Sequence, residues 1–249
     1  YNVDSSTMFA LSRVITKKLQ GTKDWSKVWF DPSLNNIVLP LQNRKLSDGL
    51  LNLARGSRMS LKDDTAQVLR LFVYWKQTSK STDLDLSAMI LNSNFKFVKH
   101  VGWNSYGDGL QVSHSGDIQD ARLGASEFID IELEDYQVTN ERYLVPSVLR
   151  FAGESFQKLE ACYAGWMLRG DASARVKAFV PKTVANKVEL TSEGKIWIPF
   201  VYDIQEKELI FTDLTMGGSR TIEHNKHFPQ LAKAISLLSQ TRPTYQDLV

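Results

Sequence analysis

Val68-Leu69-Arg70-Leu71-Phe72-Val73-Tyr74-Trp75 is a run of aliphatic, β-branched and aromatic residues with no glycine or proline, the composition of a β-strand. Outward from it, short apolar runs recur between clusters of Gly, Asn, Asp and Ser: Leu86 to Leu91, Phe97 to Trp103, Glu127 to Leu133, Val145 to Phe151, Cys162 to Leu168, Lys187 to Leu190, Lys195 to Tyr202 and Glu208 to Thr212. This is the texture of packed antiparallel sheets, not of alternating βαβ units. From Phe228 to Ser239 the pattern turns helical, with Leu231, Ala234, Ile235 and Leu238 on one face. The chain therefore reads as mostly β, a β-sandwich over residues 53–249 that ends in a C-terminal helix.

Residues 1–52 have a different character and are expected to form an N-terminal accessory segment of a helix and short strands. Phe9, Val14, Ile15 and Leu19 follow helical spacing after Ser5 and Ser6, and Gly21 closes the pattern. Lys27 to Phe30 and Asn36 to Pro40 read as extended around a turn at Asp31-Pro32, and Ser47 to Ala54 as a short helix. The start at Tyr1, without an initiator Met, leads us to expect a fragment with further domains N-terminal to this chain.

A hydrophobic content of 43% over 249 residues supports a sizeable core. The 30 basic and 28 acidic residues nearly cancel, to +2, so no global field marks a nucleic-acid binder. Cys162 is the only cysteine, which excludes an intramolecular disulfide or a cysteine-rich zinc site and fits the cytoplasm. No apolar run approaches the roughly 20 residues of a membrane span, and Tyr1-Asn2-Val3-Asp4 lacks the features of a secretory signal, so no stable membrane insertion is expected.

Chemistry concentrates between Thr82 and Glu127. In Asp83-Leu84-Asp85-Leu86-Ser87 an extended backbone puts both carboxylates on one side and Leu84 and Leu86 on the other. Two such charges at about 5 Å repel by roughly 3 kcal/mol at an effective dielectric near 20, a repulsion that a divalent cation converts to attraction. His114-Ser115-Gly116-Asp117 supplies a second acidic turn. Hard oxygen donors from loops suit calcium better than zinc or copper.

These motifs stand in an order that resembles the TerD family of tellurium-resistance and general stress-response proteins, over about residues 53–216. Leu53-Ala54-Arg55-Gly56-Ser57-Arg58-Met59-Ser60-Leu61 is similar to the family's opening strand, and Asp83-Leu84-Asp85-Leu86-Ser87 to its aspartate-rich strand. Trp103-Asn104, Tyr106-Gly107-Asp108-Gly109, His114-Ser115-Gly116-Asp117 and the acid-led Glu127-Phe128-Ile129-Asp130-Ile131-Glu132-Leu133 follow in family order. The resemblance implies a calcium-binding, TerD-like β-sandwich. Asp83, Asp85, Asp117 and Glu127 would be ligands, Asn104 would add an amide oxygen, and Gly116 would let the chain turn tightly at the ion. Asp108 and Asp120 are second-rank ligands. The chain departs from the family between Ile118 and Glu127, where Asp120 and Glu127 are the only acids, so one calcium ion is expected rather than two.

Other residues read more plainly. His114 is a poor calcium donor and is expected to brace a loop by hydrogen bonding. His224 and His227 read as residues at a helix start, and Cys162 as a small buried hydrophobe. A lone thiol gives no basis for direct tellurite reduction. Trp103 and Tyr106 could form a platform for a ligand, though most aromatics belong to the core. Arg55, Arg58, Lys62 and Ser57 are expected at the solvated surface.

The expected function is a non-enzymatic, calcium-binding TerD-type module in a cytoplasmic stress or tellurium-resistance response, acting on an unidentified protein partner. Two alternatives are a hydrolase using paired carboxylates or a metal-activated water, and a calcium-dependent membrane-associating module.

Overall fold

The structure is a computed structural model, and it describes residues 6, 7, 9, 10, 13, 14, 17, 29, 31–35, 37, 38, 53–61, 66–107, 111–133, 140–169, 186–190, 193–218, 228–239 and 244. Its strands are β1 (Arg58–Ser60), β2 (Val68–Lys76), β3 (Asp83–Leu91), β4 (Phe97–Val101), β5 (Val112–His114), β6 (Ala125–Glu132), β7 (Tyr143–Ala152), β8 (Ala161–Arg169), β9 (Asn186–Glu189), β10 (Ile196–Asp203) and β11 (Glu208–Met216). One helix, α1 (Phe228–Leu238), follows them. They form a six-stranded sheet in the order β1-β11-β10-β7-β3-β4 and a five-stranded sheet in the order β5-β6-β2-β8-β9, with antiparallel pairing throughout. The molecule is thus a mostly β, two-sheet sandwich with a C-terminal helix, as the sequence indicates.

Alternation along each strand decides what meets in the middle. Leu69, Leu71, Val73 and Trp75 of β2 and Ile129 and Ile131 of β6 pack against Leu84, Leu86, Ala88 and Ile90 of β3. The other face of β3 gives Met89 and Leu91 to a second cluster, in which Val145, Ile198, Val201 and Ile210 are covered by Leu231 and Ile235 of α1. The predicted apolar stripe of the helix is therefore the stripe it buries. Asp83, Asp85 and Ser87 continue the Met89 face of β3 toward its start, beyond the residues that gather under the helix.

Arg55 is exposed, as expected, whereas Arg58 is half-buried and Ser57 buried, and all three make structural contacts. Arg55 Nη2 donates to the Asp213 carboxylate at 3.1 Å, and the other oxygen of Asp213 accepts the Trp197 indole at 3.1 Å. Asp213 has a φ of 42°, a conformation aspartate tolerates better than most residues, beside a register shift between β10 and β11. Arg58 pairs with Glu208 at 2.8 Å and donates to the Ser239 carbonyl at the end of α1. Ser57 is fully buried, and its Oγ accepts the Val38 N–H at 3.1 Å. Lys62, His224 and His227 lie outside the described residues.

Most of residues 1–52 also lies outside the described set. Residues 6, 7, 9, 10, 13, 14 and 17 are helical, Pro32–Leu34 is a 3-10 turn where Asp31-Pro32 predicts one, and Val38 bridges Thr244. Residues 53 and 54, the end of the expected short helix, are not helical.

Arg70 and Asp130 stand opposite each other on β2 and β6 with both nitrogen–oxygen contacts at 2.7 Å, and their side chains are 1% and 4% exposed. Removing one partner strands a buried charge, so Asp130→Ala is expected to cost about 3–5 kcal/mol in urea denaturation. An Arg70→Met/Asp130→Leu double substitution is expected to restore most of that loss.

Candidate metal centre

β3 starts earlier than its apolar run suggests. Asp83 pairs with Ala152 of β7 and Asp85 with Leu149, across a register shift between Asp83 and Leu84. This extended backbone aims both carboxylates the same way. The loop after β5 brings in Asp117, and one carboxylate oxygen from each of Asp83, Asp85 and Asp117 lies within 4.8 Å of the others. Oxygens on a shared calcium ion, each at about 2.3–2.6 Å, can be separated by up to about 5 Å, so the three can share one ion.

The carboxylates are ill-supplied with other partners. Asp85 is 6% exposed and accepts no hydrogen bond among the described residues, and Asp83 Oδ1 is buried without a donor. Asp117 is exposed and accepts from Gln119 Nε2 at 2.9 Å. Burial, then the charges of Asp83 and Asp117, push the Asp85 carboxyl up to about 7. Burial and the charge of Asp117 raise Asp83 as well. A hard dication relieves both causes at once, which fits the chemistry of this donor set.

Glu127 stands outside that group of three. It is fully buried, and its two oxygens are taken by main-chain donors: Oε2 accepts the Leu86 N–H at 2.8 Å and Oε1 accepts the Ile118 N–H at 2.9 Å. Burial raises its carboxyl to about 8, against the two hydrogen bonds and with the charges of Asp85 and Asp117 adding to the rise. Beside it, His114 Nδ1 accepts the Gly116 N–H at 3.0 Å, so Nε2 carries the proton and donates to the Leu86 carbonyl at 2.9 Å. Burial holds this imidazole below its usual range. His114 braces a loop, the role its sequence context suggests.

The remaining candidates are placed differently. Gly116 has a φ of +107° and a Cβ there would touch nothing, so glycine serves the turn before Asp117 through its torsion alone. Asn104 is exposed in the tight turn between Gly102 and Ser105. That turn lies over Ser87, since a Cβ on Gly102 would come within 3.0 Å of Ser87 Cβ. Asp120 is committed to Arg122, with contacts at 2.8 Å and 3.0 Å, and these hold its carboxyl below the ordinary range. Asp108 lies outside the described residues. Trp103 and Tyr106 are 44% and 56% exposed, which corrects the expectation that they belong to the core. Cys162 is buried and burial raises its thiol, as a small hydrophobe requires.

Gln77, which the sequence reading passes over, is 3% exposed and holds this region together. Its Oε1 accepts the Thr82 N–H at 3.1 Å and the Ala121 N–H at 2.9 Å, and its Nε2 donates to Asp120 at 3.2 Å. A glutamine at the end of a strand carries no pattern that would single it out.

No family model and no curated protein matches this chain. Among solved structures, the chain is similar to a homologue of telluride resistance protein (TerD), SCO6318 from Streptomyces coelicolor A3(2), at 9% identity and a TM-score of 0.48, over 65% of this chain and 96% of that one. It is also similar to the protein of unknown function SAV2460, at 16% identity and a TM-score of 0.46, over 63% of this chain and 92% of that one.

Carboxyls raised in the folded state bind protons more tightly there than in the unfolded chain, whose values lie near 4. The contribution of Asp85 and Glu127 to the stability of the metal-free protein is therefore fully present below pH of about 4, declines as pH rises, and levels off above about 8, where both are ionised in both states. Urea denaturation in chelator is expected to show the Asp85 part of that decline as a stability difference between the unmodified chain and Asp85→Asn that changes between pH of about 4 and about 7 and is flat above.

Proposed function

We propose that this chain is a non-enzymatic calcium-binding module of the TerD type. The observation that supports this reading is the meeting of Asp83, Asp85 and Asp117, from two segments, with oxygens within 4.8 Å and almost no donors of their own. Like charges held so close cost stability unless a cation offsets them. The order of the motifs around these residues supports the TerD-type assignment. One shared cluster among the described residues supports a single ion.

The module acts in a cytoplasmic stress or tellurium-resistance response by presenting its loops to a protein partner. Exposed Trp103 and Tyr106 support a protein surface, because aromatic side chains dominate the centres of protein interfaces. Their turn lies beside the row Asp83, Asp85 and Ser87, so an ion that orders the row also orders the aromatic surface.

Calcium at 100 times its dissociation constant is expected to raise stability by about 2.7 kcal/mol, read as a melting shift that chelator reverses. Asp85→Asn is expected to abolish that shift while raising the stability of the metal-free protein at neutral pH by about 1 kcal/mol or more, because it removes a desolvated, repelled charge. No shift at millimolar calcium, together with a flat calorimetric titration, would overturn the reading.

A further inference from the structure

We infer that Gln77 and Glu127 are positioning residues that form a double clamp, setting the cation affinity of the centre without touching the ion; the inference rests on the calcium reading above. The two candidate-ligand segments are Thr82 to Leu86, which carries Asp83 and Asp85, and Ile118 to Ala121, which directly follows Asp117. Gln77 Oε1 takes one N–H from each, Thr82 at 3.1 Å and Ala121 at 2.9 Å. Glu127 also takes one from each, Leu86 at 2.8 Å and Ile118 at 2.9 Å. Two of the four donors, Thr82 and Leu86, bracket Asp83 and Asp85, and the other two, Ile118 and Ala121, follow Asp117, the first directly.

Both clamps come from the opposite side of the sandwich. Glu127 lies on β6 and Gln77 directly follows β2, neighbours in the five-stranded sheet, whereas Asp83 and Asp85 lie in the six-stranded sheet. Gln77 and Glu127 are 3% and 0% exposed, so water cannot replace either acceptor when it is lost. Without an ion, mutual repulsion drives Asp117, on its exposed loop, away from Asp83 and Asp85. The clamps oppose that movement and keep the donor set assembled. Affinity for calcium rises with the rigidity of its site, and residues that orient ligands commonly contribute 10–100-fold.

Glu127→Gln keeps the shape and one acceptor but turns an amide toward the other N–H, and Gln77→Met removes an acceptor from two N–H groups. Calcium calorimetry and terbium luminescence on the full chain are expected to show affinity about tenfold weaker or more for each variant. The number of waters on bound terbium, from lifetimes in light and heavy water, is expected to stay unchanged. An added water in Glu127→Gln would make Glu127 a ligand and overturn its part in the clamp, and unchanged affinity in both variants would overturn the clamp as a whole. If the unmodified chain binds neither ion, the calcium reading and the affinity claim fall together. The clamp is tested apart from them by amide exchange in chelator. Slow exchange at Thr82, Leu86, Ile118 and Ala121, accelerated by the variants with the rest of the sandwich unchanged, supports it, and fast exchange there in the unmodified chain overturns it.

Discussion

Leu86 lies where β4 has parted from β3, because the pairing of those strands covers Ala88 to Leu91 and stops. Its N–H and C=O are taken by Glu127 on β6 and His114 on β5, two side chains of the other sheet. A buried main-chain group left without a partner costs about 1–3 kcal/mol, so a strand that loses its neighbour inside a sandwich needs such substitutes. Because they reach across from the second sheet, they also join the sheets at this corner. Since Leu86 follows Asp85, the same bonds fix the strand that carries the carboxylates.

The centre works against the stability of the fold around it. The apolar side of β3 contributes Leu84, Leu86, Ala88 and Ile90 to the main core, while its other side holds Asp83 and Asp85 in a partly desolvated row. Strong cross-strand pairing to β7 and packing under Leu86 offset the electrostatic cost. Local destabilisation supported by a rigid scaffold is common where a protein binds something, since the guest returns the lost free energy.

Much of the sandwich was legible because each strand has a buried face, and burial writes period-two patterns into the chain. Val68 to Trp75 and most of β7 are instead buried almost without a break, and were legible as near-continuous apolar runs bounded by turn residues. The start of β3 was not legible, as aspartate disfavours strands and only the pairing of Asp83 with Ala152 makes it one. β5 spans three residues, too few for periodicity to register. Arg55 is at the surface as read, but the ion pairs of Arg55 and Arg58 were not legible because their partners, Asp213 and Glu208, lie far along the chain. Trp103 and Tyr106 have core-like side chains, yet a turn holds them at the surface.

Composition and pattern alone determined a mostly β sandwich, the apolar stripe of the C-terminal helix and the shared side of Asp83 and Asp85 on one strand, because these depend on residue type at local spacing. Tertiary structure alone decided which acids meet. It joined Asp117 to Asp83 and Asp85, bound Asp120 to Arg122, and turned Glu127 toward the main chain of Leu86 and Ile118. Carboxylates are chemically alike in a sequence, and the partner each one takes is set by the approach of segments that sheet packing brings together from distant parts of the chain.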